Sequence, residues 1–154
     1  MQIREATIED QNLITDYTLQ LHHHESDISV EPHPNFENNL SAWILSELSN
    51  SQSLFLIATI DNLPIGFIGA SSQINDNGFV KNPIKGIIQL LWVEPAYRQQ
   101  HVAEQLLTNI DACFVELGIK YIECSFTATN TLAENFWMNN GYKITSLTAR
   151  KIIM

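Results

Sequence analysis

The chain has 154 residues, enough for one domain that buries about two-thirds of its unfolded surface without help from disulfides or metal. Seventeen acidic residues against eight basic ones give a net charge of -9, which argues against nucleic acid as a partner because phosphate contacts need clustered Lys and Arg. An acidic surface suits a cationic substrate such as an amine, or serves solubility alone.

No apolar run approaches the ~18 residues of a membrane span, so no membrane partner is expected. Met1-Gln2-Ile3-Arg4 turns polar too soon for a secretory leader, and a cytoplasmic location is expected. The two cysteines, Cys113 and Cys124, cannot form a disulfide framework and have no C-x-x-C spacing. They read as small buried hydrophobes in a reducing compartment.

Residues 2–6 suit a short strand. Thr7 with Asp10 three positions on suits a helix start, and Leu13, Ile14, Tyr17 and Leu21 then share one helical face. His22, His23 and His24 close that helix. Adjacent residues on a helix diverge and no second pair at i, i+4 accompanies them, so no metal site is expected; His24, three residues beyond Leu21, shares the inner face. The piece 25–34 carries Glu25, Asp27 and Glu31 with two prolines and reads as a loop. Phe36, Leu40, Trp43, Ile44 and Leu48 mark a second amphipathic helix, with Trp43 in the core.

Two apolar runs, 53–60 and 64–70, flank Asp61-Asn62 as a hairpin, and the polar stretch 71–85 reads as a loop. Residues 87–93 are apolar except for Gln89, which predicts a strand buried on both faces and stopped by Pro95. Ala103, Leu106, Leu107, Ile110, Phe114 and Leu117 predict a helix from near His101 to Gly118. A strand that feeds a helix through a short turn aims free N–H groups and a positive dipole end at one place, which suits a phosphate. Alternation over 121–126 predicts another strand. Thr129 or Asn130 caps a helix that ends at Gly141, and 142–153 reads as a closing strand.

The segment Val93-x-Pro95-x-x-Arg98-x-x-His101-x-Ala103 resembles the acyl-coenzyme A signature Q/R-x-x-G-x-G/A of the GNAT family of N-acetyltransferases. His101 stands where the family has its first glycine. Asn130-x-x-Ala133-x-x-Phe136-Trp137-x-x-x-Gly141-Tyr142 is similar to the family's later segment N-x-x-A-x-x-F/L-Y-x-x-x-G-F, with Trp137 in place of the usual tyrosine. The predicted order of elements, βααβββαβαβ, matches the family's layout. It is an α/β arrangement of a central mixed sheet with helices on both faces, in a single domain over 1–154.

The resemblance implies an acetyl-coenzyme A-dependent N-acetyltransferase that acts on a primary amine, of a small molecule or a peptide N-terminus, by direct attack in a ternary complex. It places the pyrophosphate on the N–H groups of Gln99, Gln100, His101, Val102 and Ala103, with Arg98 at the entrance. The pantetheine arm lies beside Val93, the N–H of Leu91 stabilises the thioester oxygen, and Asn130 and Trp137 flank the cofactor. Ile87 falls where some members have an acidic base. His24 is the candidate base in its stead, Glu25 and Asp27 would receive the amine or serve only as solvated loop charge, and Gln89, sharing a strand face with Leu91 and Val93, would orient a water. Family members are often dimers, so a homodimer is compatible. The departures at His101 and Trp137 keep open a second reading, a non-catalytic acyl-coenzyme A sensor or degenerate acetyltransferase.

Overall fold

The structure, a computed structural model, describes residues 1–25 and 29–154. A five-stranded sheet runs β1 (Gln2–Glu5), β2 (Ser53–Ile60), β3 (Leu63–Ile74), β4 (Ile84–Val93) and β5 (Ile122–Cys124), in that spatial order. The first four pair antiparallel, and β5 joins β4 in parallel. Asp61 and Asn62 turn the β2–β3 hairpin with both φ values positive, at 48° and 64°, as a type I′ turn requires.

One face carries α1 (Gln11–Glu25) and α2 (Phe36–Leu48), which bury Ile14, Tyr17 and Ile44 against Phe55, Ile57, Phe67 and Trp92. The other carries α3 (Val102–Glu116) and α4 (Thr131–Asn139), which bury Leu106, Ile110, Phe114 and Trp137 against Ile65, Ile68 and Ile88. Thr7 and Asp10 form a reciprocal capping box, as their spacing predicts, although it opens a single 3-10 turn ahead of α1.

Four expectations change. The loop predicted at 71–85 shrinks to 75–83, because β3 and β4 extend and pair through Ile74 and Ile84. Glu25 is the last residue of α1, not part of a loop. Trp43 is 37% exposed and Ile44 takes the core position, because the stripe on α2 is wider than the face that meets the sheet. Residues 142–154 form no strand: the alternation is present, but every residue from 143 to 154 is exposed, and a strand without a partner has nowhere to place its hydrogen bonds.

Candidate active site

The site begins with one extra residue in β4. Leu90 pairs with Gly69 and Ile88 with Ala70, so Gln89 has no partner and the strand bulges. Above the bulge, Glu94 N–H donates to Ile65 O at 2.8 Å, and strand alternation then turns the N–H groups of Val93 and Leu91 away from β3. Below it, β4 pairs with β5 only over Gly86–Ile88. The two strands part beyond that point, and a cavity of about 370 Å³ fills the opening, within the size range of small-molecule sites.

The bulge also corrects an expectation. Gln89 does not share a face with Leu91 and Val93, which pack toward α3; its Nε2 donates to Glu47 Oε2 of α2 at 3.2 Å. Two consecutive side chains, Gln89 and Leu90, fall on the α1–α2 face, as a bulge dictates. Gln89 Oε1 is buried and finds no hydrogen-bond partner among the described residues, and the residue lines the cavity.

At the mouth, the turn into α3 holds two non-glycine residues in the left-handed region, Gln99 at φ 59° and His101 at φ 61°. Left-handed and right-handed residues in succession curl the backbone so that N–H groups converge, which makes an anion cradle. The first helical bond of α3 runs from Gln105 N–H to His101 O at 3.1 Å, so the amides before it are the orphan donors of a helix start. The His101 side chain is 80% exposed, with Nδ1 3.5 Å from Glu104 Oε1. Its Cβ strains the backbone, but the ring projects outward.

Arg98 is tied back at the entrance, its Nε donating to Val93 O at 3.0 Å and its guanidinium 4.6 Å above the Trp92 ring. Trp137 is buried, edge-on to Phe136 and Tyr142. Asn130 accepts from Ala133 N–H at 3.0 Å to cap α4, and its Nδ2 donates to Glu25 Oε1. That bond, with Thr127 Oγ1 donating to Glu25 O at 3.1 Å, ties the end of α1 to the loop after β5. His24 stands edge-on to Trp92 with ring centroids 6.2 Å apart. Burial pushes the Cys124 thiol up to about 12, which removes it as a nucleophile at neutral pH.

The acetyltransferase (GNAT) domain profile matches residues 51–144, well over half the chain. The chain belongs to the GNAT acetyltransferase family. A curated relative, spermidine N(1)-acetyltransferase of Thermoplasma acidophilum, is 24% identical over 122 residues, 77% of this chain and 76% of its own. A predicted acetyltransferase from Clostridium acetobutylicum solved with acetyl-coenzyme A superposes with a TM-score of 0.82 at 19% identity, over 98% of this chain and 95% of that one. An aminoglycoside N-acetyltransferase solved with coenzyme A gives 0.74 at 19% identity, over 99% of both chains. At such identity the two structures establish likeness of fold. Membership makes this protein an acyltransferase. No helix among the described residues is long and apolar enough to cross a membrane.

For this GNAT protein, the cavity gathers nearly every residue singled out from the sequence: His24, Glu25, Gln89, Leu91, Val93, Arg98, Gln99, His101, Val102, Ala103, Asn130 and Trp137. Gln100 is outside it, with Nε2 donating to Ala96 O at 3.1 Å. Asp27 lies outside the described residues. Sequence reasoning missed the apolar lining supplied by Tyr97, Phe126, Leu132 and Phe136. Phe126 was within reach of it, since it continues the alternation of Ile122 and Cys124 past the end of β5.

Proposed function

We propose that this acetyltransferase moves the acetyl group of acetyl-coenzyme A to a primary amine, of a small molecule or a peptide N-terminus, by direct attack in a ternary complex. One observation carries the reading: two β4 amides, of Leu91 and Val93, turn away from β3 beside a cavity that runs on to the helix-start amides of α3. The cofactor's pyrophosphate fits the amides of residues 99–103 and its amide-bearing arm fits beside Val93.

The amine lone pair attacks the thioester carbon. The π pair of the C=O bond moves onto the carbonyl oxygen, where the Leu91 N–H donates a hydrogen bond to the developing oxyanion, an effect worth about 3 kcal/mol. Collapse breaks the C–S bond and coenzyme A leaves as thiolate. Trp137 has no acidic proton to give it, so the thiolate takes one from solvent. Gln89 Oε1, buried beside Glu47, would accept an N–H of the incoming amine, and Glu25 adds negative potential at the end of α1. The ammonium sheds its first proton to water before attack, and His24 takes, through water, the second proton that the nitrogen loses as the amide forms. The relatives named for spermidine and aminoglycosides make a polycationic amine a sensible first acceptor. In this reading the protein is one domain and cytoplasmic, and a homodimer is compatible with it.

Calorimetric titration with acetyl-coenzyme A, coenzyme A and a dephosphorylated nucleotide tests the cofactor; thiol release over a panel of amines tests turnover. Binding that needs the pantetheine arm, with thiol release on at least one amine, is the expected result. Absence of binding at millimolar cofactor sinks the reading. Binding with no thiol release from any amine leaves the non-catalytic sensor, which the Trp137 position favours.

A further inference from the structure

Glu47 is a carboxylate in an unfavourable place. It is the next-to-last residue of α2, where the negative end of the helix dipole opposes its charge, and no basic side chain stands in that turn to offset it. It is nonetheless held. Ser53 Oγ, at the start of β2, donates to Glu47 Oε2 at 2.7 Å, and Gln89 Nε2 donates to the same oxygen at 3.2 Å. Glu47 is outside the lining of the cavity, whereas Gln89 is part of it. A charge kept against its local setting is characteristic of functional sites.

A carboxylate accepts hydrogen bonds and donates none, so Glu47 fixes which end of the Gln89 amide faces it. The NH2 group turns to Glu47 and the carbonyl Oε1 is left over, buried and without a partner among the described residues. Without Glu47 the amide is free to turn over and present donors instead. Gln89 stands two residues before Leu91, about 7 Å along the strand from the amide proposed for the thioester oxygen.

The number of protons on the attacking nitrogen then matters. A neutral primary amine brings two N–H groups: it loses one as the amide bond forms and keeps the other in the product, so that second N–H can stay bonded to Oε1 throughout. A secondary amine brings a single N–H, which is the proton it must lose. It has none left for Gln89, and the carbonyl stays buried and unpaired as the bond forms.

We propose that Glu47 is a positioning residue: by locking the Gln89 amide with its carbonyl toward the substrate, it makes the enzyme select primary over secondary amines. The assignment rests on the amine transfer proposed for this site and deepens it. Glu47 touches no substrate, and its influence on the reaction runs through Gln89 alone.

The test compares kcat/KM for a primary amine that releases thiol and for its N-methyl derivative, in the full chain and in variants at 47 and 89. Gln89→Leu is expected to lower the preference for the primary amine about tenfold, and Glu47→Leu nearly as much, with calorimetric affinity for acetyl-coenzyme A kept in both. The two substitutions together are expected to do no more than Gln89→Leu alone. Glu47→Gln is expected to retain the preference, because the carbonyl of the new side chain, held by the Ser53 hydroxyl, still accepts from Gln89 Nε2. Additive losses in the double variant overturn the proposal. So does a Glu47→Gln enzyme that loses as much preference as Glu47→Leu, since negative charge would then be the cause, or a preference unchanged in Glu47→Leu. An unmodified chain that binds cofactor yet releases thiol with no amine fails earlier, at the transfer itself, and takes the proposal with it.

Discussion

The two ends of the β4–β5 pair use the same backbone to opposite effect. At the closed end, Gly86 N–H donates to Tyr121 O at 3.0 Å, and a Cβ on Gly86 would stand 2.6 Å from the Phe114 ring, so glycine lets α3 settle onto the sheet. At the open end, a few residues on, the amides of Leu91 and Val93 face away from β3 with no strand beside them. Pairing there would bring a little stability, since a hydrogen bond is worth only about 1 kcal/mol net. Leaving it undone brings a slot in which donors are fixed before any ligand arrives, which is the condition for electrostatic catalysis. One end holds the sheet together and the other opens the slot proposed for the cofactor, and the single residue Gln89 separates them.

Substitutions can break that division. Leu91→Pro deletes the open-end N–H and is expected to lower kcat by about 10²–10³, while Leu91→Ala, which keeps it, costs only packing; steady-state kinetics on both separate backbone from side chain. Equal losses in the two variants would dismiss the amide. Gly86→Val strikes the closed end, forcing a side chain into the Phe114 ring; it is expected to destabilise by about 2 kcal/mol in urea titration, with cofactor affinity of the folded protein kept.

His101→Gly sharpens the contrast at the mouth. Relieving a left-handed residue gains about 1 kcal/mol and glycine's freedom in the unfolded chain takes part of it back, so thermal melting is expected to rise slightly while acetyl-coenzyme A binds more tightly. Asp10→Asn touches neither end and serves as the reference. Arg4, 2.8 Å away, and the Thr7 backbone hold the Asp10 carboxyl below its usual range, so its contribution is present above the unfolded value near 3.8 and is lost as pH falls through the lowered folded value. With Arg4 half exposed the ion pair adds little, and loss of the cap costs about 1 kcal/mol at neutral pH, shrinking toward zero in acid.

Much of this was legible in the sequence for identifiable reasons. The buried run at 87–93, the helix from 102 and the second segment at 130–142 carry strong local patterns, and they brought nearly all the candidate residues to one cavity. The bulge was not legible. It is a relation between two strands, and Gln89 reads the same in a regular ladder as in a bulged one, so its side chain was assigned to the wrong face. The tail was misjudged for a related reason: alternation at 142–153 announces a strand, but the partner it needs is not written beside it. Trp43 and the lining residues Tyr97, Leu132 and Phe136 show a third limit, since helical periodicity tells which residues cluster and not which neighbour covers them.

The bulge gives the fold an unusual genetic vulnerability. Loss of the one codon for Gln89 would bring Leu90 next to Ile88 and let β4 run against both neighbours without interruption. Such a deletion would spare the hydrophobic layers and close the slot, producing a well-folded descendant with no place for a cofactor. A lineage could silence this enzyme in a single step and keep the scaffold for another use.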